Sequence, residues 1–100
     1  MRLTQSQQNI ISNTLREHFG QNSRIMLFGS RVDDQAKGGD IDLYIEPEPM
    51  QPDQLVEARL KALVALHRQL GEQKIDLVIN RKTATQLPIY QIAQQTGVPL

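Results

Sequence analysis

The sequence predicts a small α/β (α+β) fold in the order α-β-β-α-β-α, with a mixed sheet of at least three strands flanked by helices. Three observations predict it. Apolar residues recur at helical spacing in three stretches, apolar runs too short for helices lie between them, and one run alternates strictly between acidic and apolar residues. One hundred residues suit a single domain spanning 1–100 with a modest core.

Thr4-Gln5-Ser6-Gln7 has the form of a capping box, and Ile10, Ile11, Leu15 and Phe19 follow at helical spacing up to Gly20. This is the first helix. Arg24–Phe28, after Gln21-Asn22-Ser23, is an apolar run of strand length that leads into Gly29. The polar spacer 30–39 ends in Lys37-Gly38-Gly39 and is shorter than a parallel crossover requires, so the next strand, 40–46, is expected to run antiparallel to the first. Glu46-Pro47-Glu48-Pro49 ends that strand, because proline cannot donate to a ladder.

Leu55, Leu60, Leu63, Leu66 and Leu70 mark an apolar stripe on a long helix over Pro52–Leu70, closed by Gly71. A strand over 74–80 follows, and the strand-helix-strand succession predicts a right-handed crossover that sets Asp76 alongside the acidic strand. The tail predicts a final helix capped at Thr83 or Thr85, with Leu87, Ile89, Ile92 and Ala93 on its apolar face before Gly97 and Pro99. No internal repeat, linker or low-complexity segment interrupts this order.

Chemistry concentrates in residues 28–43, FGSRVDDQAKGGDIDL. Strand alternation places Asp40 and Asp42 on one face and Ile41, Leu43 and Ile45 on the other. The two carboxylates, roughly 7 Å apart at their α-carbons from a rise of about 3.3 Å per residue, repel unless a cation lies between them. Magnesium suits that place, since it takes oxygen ligands and is held by one or two carboxylates together with substrate phosphates.

Gly29 at a strand end lets backbone N–H groups approach a ligand closely, and Ser30 adds a hydroxyl donor, a combination that can cradle phosphate oxygens. Arg31 reads equally as a phosphate ligand and as a solvated charge. In the later strand Lys74, Asp76, Val78 and Asn80 share a face, which makes Asp76 available as a third carboxylate. Tyr44 lies on the acidic face and is expected to pack at the strand end rather than meet a base or ribose. His18 and His67 have no metal-ligand spacing, and Asp33, Asp34, Lys74, Arg81 and Lys82 read as surface charge.

Eleven basic and eleven acidic residues balance without blocks of like charge, and only four aromatics are present. Both facts argue against a chain that grips nucleic acid by itself. The absence of cysteine excludes disulfides and thiolate metal sites. The start MRLTQSQQNI is polar, and no apolar run reaches transmembrane length, so a cytoplasmic protein is expected.

A hydrophobic residue, Gly29-Ser30, nine residues, then Asp40, a hydrophobic residue, Asp42 and another hydrophobic residue resembles the signature of the DNA polymerase beta-like nucleotidyltransferase superfamily. That family's third carboxylate is matched by Asp76 within Lys74-Ile75-Asp76-Leu77-Val78-Ile79, and the short chain is similar to the minimal nucleotidyltransferases of bacteria and archaea. The resemblance implies transfer of AMP from ATP to an acceptor hydroxyl with release of pyrophosphate. It implies two magnesium ions about 3.5–4 Å apart, with Asp40 and Asp42 ligating both. Asp76 would complete the site nearest the hydroxyl and take its proton, while Gly29, Ser30 and Arg31 hold the triphosphate.

The resemblance also implies a setting. Minimal nucleotidyltransferases of this kind are often antitoxins paired with a HEPN-domain ribonuclease toxin, and some neutralise it by adding AMP to a tyrosine. A chain of this length is expected to carry no acceptor-binding module of its own, which fits a protein partner. Two rival readings remain: a module of the same fold that neutralises its partner by binding alone, and transfer to a small molecule, as in antibiotic-modifying relatives that have an additional domain.

Overall fold

Helix α1 (Gln5–Phe19) starts where its capping chemistry places it. Thr4 Oγ1 accepts the N–H of Gln7 at 3.0 Å, and Gln7 Oε1 accepts the N–H of Thr4 at 2.9 Å. Two otherwise orphaned donors are thereby satisfied at once. The structure, a computed structural model, describes residues 3–29, 40–71, 73–82 and 85–100.

Strand β1 (Arg24–Phe28) pairs antiparallel with β2 (Ile41–Glu46), as the short spacer predicts, in a register that sets Phe28 opposite Asp42. Helix α2 (Pro52–Leu70) then carries the chain to β3 (Ile75–Ile79), which runs parallel to β2 with Asp76 opposite Asp42. Helix α3 (Pro88–Thr96) leads into a two-residue strand, β4 (Val98–Pro99), antiparallel to the other edge of β1. The sheet order is β3-β2-β1-β4, and the fold is the mixed α/β architecture that the sequence predicts.

One face of the sheet, built on Ile25, Leu27, Leu43, Ile45 and Leu77, forms the main core with α1 and α2. On the other face Met26, Phe28 and Tyr44 pack with Ala93 of α3. Helix α3 therefore covers part of the face that bears the aspartates. Arg16 ties the end of the chain to α1, donating to the carbonyls of Ser23 at 2.6 Å and Leu100 at 3.2 Å. No helix among the described residues is long and apolar enough to cross a membrane.

Two expectations are corrected. Leu60 is 65% exposed, in line with exposed Val56 and Val64, and the buried stripe of α2 runs through Leu55, Ala58, Ala62 and Leu66. At 3.6 residues per turn Leu60 lies roughly 140° around the helix from Leu55. Helix α3 starts at Pro88 with Leu87 as its N-cap, not at Thr85, while Thr83 lies outside the described residues. Proline favours the first helical position because its φ is preset and its missing N–H is not needed there. Strand β4 adds a fourth strand, within the expectation of at least three, after the last expected helix.

Candidate active site

The end of the sheet where β1 finishes and β2 and β3 begin gathers the functional groups. Asp42 and Asp76 are in register on adjacent parallel strands, and Phe28, the last residue of β1, lies on the other side of Asp42. Gly29 follows with φ at +77°. A methyl group there would come within 2.1 Å of Asp42 Oδ2, so glycine supplies both the left-handed backbone and the space for the carboxylate.

The electrostatics of the pair are unfavourable as they stand. Burial pushes the Asp42 carboxyl above the ordinary carboxylate range, and the charge of Asp76, a hydrogen bond shared with it, and the charge of Asp40 add to that effect. Lys74 opposes it. Two carboxyl groups in such contact must share a proton or a cation. Oxygen donors of this kind fit a hard divalent ion.

The third carboxylate stands apart. Asp40 precedes the first residue of β2, its side chain is 41% exposed, and Lys74 Nζ lies 3.5 Å from its Oδ2. Among the described residues no group of three or more His, Cys, Asp or Glu is placed to hold a metal ion. The structure thus brings together Asp42, Asp76 and Gly29, and leaves Asp40 engaged with Lys74. Ser30 and Arg31, expected to bind phosphate, lie outside the described residues, as do Asp33, Asp34 and the turn at 37–39.

An open cleft of about 480 Å³ runs over the pair, lined by Phe28, Asp42, Arg59, Asp76, Leu77, Val78 and Ile89. Arg59 has no part in the sequence reading. It extends from α2 around the outer edge of the sheet and donates through Nη1 to the carbonyl of Leu77 on β3. Its signal was an arginine four residues after Leu55 and seven before Leu66, on the face where the stripe calls for an apolar residue. Such a residue snorkels its stem over the core and carries its charge to the rim.

A second polar cluster lies at the opposite end of β2. Tyr44, fully buried as its packing role predicts, donates to Glu46 Oε2 at 2.6 Å and accepts from Asn80 Nδ2 at 2.9 Å and Gln94 Nε2 at 2.7 Å. Glu46 also meets Lys82 Nζ at 2.9 Å and Arg24 Nη1 at 3.3 Å. Lys82 adopts φ of +64°, a left-handed backbone held by its N–H bond to Asn80 Oδ1 at 2.9 Å. A cleft of about 610 Å³ adjoins this cluster, between Arg24, Glu46, Glu48, Arg81 and Lys82, and contains none of the three aspartates. The chemistry of the carboxylate pair, not cleft size, makes its end of the sheet the candidate active site.

Burial alone would raise the Glu46 carboxyl, but hydrogen bonds from Tyr44 and Lys82 and the charges of Lys82 and Arg24 outweigh it and hold the group below its ordinary range. A lowered carboxylate contributes stability that is present above its unfolded value and lost as pH falls through the folded one. Glu46→Gln is therefore expected to cost about 1–3 kcal/mol at neutral pH and to weaken the acid dependence of the melting temperature. Thermal melts of both proteins from neutral to acidic pH check this.

Fold and site together define a class: a small mixed sheet that presents adjacent carboxylates beside a left-handed glycine, a layout suited to metal-assisted transfer of a phosphorus-centred group. The family model of the nucleotidyltransferase domain matches residues 9–96, and the chain belongs to that polymerase beta-like family. Comparison with curated proteins found no match. Domains of this family generally use a nucleoside triphosphate and Mg²⁺, in keeping with the oxygen donors of Asp42 and Asp76.

Proposed function

We propose that the chain, acting as one domain in the cytoplasm, is a magnesium-dependent protein adenylyltransferase. It moves AMP from ATP to a tyrosine hydroxyl of a HEPN-domain toxin encoded nearby, as the antitoxin of that pair. The observation that carries the nucleotidyl-transfer part is the contact of Asp42 with Asp76 beside Gly29. The partner and the tyrosine rest on the resemblance of the Gly29-Ser30 and Asp40-x-Asp42 pattern to the minimal nucleotidyltransferases.

In this reading Gly29 leaves room beside Asp42 for the triphosphate, and Ser30 and Arg31 bind its oxygens. Asp42 and Asp76 would hold magnesium, joined by Asp40 once Lys74 releases it, and the bound metal would supply neutralisation of the charge on the transferred phosphate. Asp76, on the edge strand, accepts the proton of the acceptor hydroxyl as its oxygen forms the new bond to the α-phosphorus. The bond to the pyrophosphate oxygen breaks in the same displacement.

Incubation of the partner with labelled ATP and magnesium is expected to label the partner with wild-type protein and not with Asp42→Asn. A partner that stays unlabelled, yet is silenced equally by both proteins, would replace this reading with neutralisation by binding alone.

A further inference from the structure

The order of the strands gives the cleft two sides. Gly29 lies at the end of β1, Asp42 on the interior strand β2, and Asp76 on the edge strand β3, whose Leu77 carbonyl holds Arg59 of α2, while Ile89 of α3 lines the same cleft. If the triphosphate occupies the Gly29 side, as the proposed function has it, the acceptor enters over β3. Among the described residues that side carries the guanidinium of Arg59, and Val78 and Ile89 add apolar lining to the cleft.

Arg59 is placed to recognise something outside the protein. It is exposed, its guanidinium is anchored to the Leu77 carbonyl, and it forms no ion pair with any carboxylate among the described residues. One N–H is used by that anchor, which leaves further donors in a planar fork that matches a carboxylate or a phosphate. Beside it Val78 and Ile89 line the cleft, and Ile92, one turn further along α3, is 51% exposed.

We propose that Arg59, Val78 and Ile89 form an acceptor subsite, and that the acceptor is a protein segment in which a carboxylate side chain neighbours the modified hydroxyl. This inference rests on the nucleotidyl-transfer reading of the cleft and adds the chemistry of the acceptor to it. An RNA 3′ end would also bring an anion beside a hydroxyl. The cleft favours a peptide, because Leu77, Val78 and Ile89 in its lining are aliphatic, Arg59 is the one cation among the described residues that line it, and the chain as a whole has a formal charge of zero.

The test uses synthetic peptides with one central tyrosine flanked by aspartates, by serines or by lysines, with labelled ATP and magnesium. Wild-type protein is expected to use the acidic peptide about tenfold better in kcat/KM than the lysine peptide, mainly through KM. Arg59→Glu is expected to reverse that order, and Arg59→Lys to retain it; a purely structural role at the β3 edge would not invert a charge preference. Equal use of the peptides, an unchanged order in Arg59→Glu, or label appearing only on an RNA oligonucleotide would overturn the proposal. Calorimetric titration of MgATP separates the two layers. Nucleotide binding without labelling of any peptide overturns the acceptor subsite alone, whereas absence of nucleotide binding removes the nucleotidyl-transfer reading and the subsite with it.

Discussion

Asp42→Asn is expected to reduce nucleotidyl transfer by about 10³-fold or more while raising the melting temperature of the metal-free protein at neutral pH. The two effects have one cause. Asp42 is ionised with difficulty because it is desolvated and faces Asp76, so its charge is a cost to the apo fold and an asset only when a cation is present. The sign follows from linkage. A carboxyl raised in the folded state carries no penalty below its unfolded value, and it destabilises the fold as pH rises through the raised one. Apo wild type is therefore expected to lose stability relative to Asp42→Asn between acidic and neutral pH, and magnesium to restore it in wild type only. Thermal melts with and without magnesium at both pH values check this, and a metal-free Asp42→Asn protein that melts below wild type at neutral pH contradicts it.

Gly29→Ala is expected to impair both folding and activity. The φ of +77° places a β-carbon in the left-handed region, which costs about 1–2 kcal/mol, and the new methyl group meets Asp42 Oδ2 at 2.1 Å. The carboxylate must move, so the pair with Asp76 is lost even in molecules that fold. A double-mutant cycle distinguishes the two contributions. Adding Asp42→Ala to Gly29→Ala removes the clash and is expected to recover part of the stability, while the backbone strain remains. Full additivity of the two changes in denaturant unfolding would show that Gly29 and Asp42 are not coupled.

The parts of this molecule that were legible in the sequence are those set by local chemistry. Thr4 and Gln7 announced the start of α1, the strict alternation over Asp40-Ile41-Asp42-Leu43 fixed which residues face the core, and the short spacer fixed the antiparallel sense of β2. Tyr44 was read as a packed residue and is fully buried. What escaped depends on neighbours distant in sequence. The interior of α2 is lined by Ala58 and Ala62, small residues where two helices share one sheet face, so counting leucines misplaced Leu60. Strand β4 has two residues, too few for any period, and exists because Val98 and Pro99 fall opposite Leu27 and Met26.

In the site, strand alternation indicated that Asp40 and Asp42 share a face but not where Asp40 would turn, which its Lys74 contact decides. The pairing of Asp42 with Asp76 required the crossover through α2, and the sequence supplied its direction through the strand-helix-strand order. Arg59 has a signal in its place on the apolar stripe of α2, but a lone arginine on a helix reads as surface. Only the proximity of α2 to the outer edge of β3 gives it a place in the cleft.

Calorimetric titration of MgATP into wild-type protein and into Asp76→Asn tests the pairing of the two strands most directly. Wild type is expected to bind one nucleotide in a magnesium-dependent manner, and Asp76→Asn to bind it at least about tenfold more weakly, with binding less dependent on magnesium. Equal, magnesium-independent binding by both proteins would show that the nucleotide does not use the carboxylate pair, and would contradict the assignment of this end of the sheet as the active site.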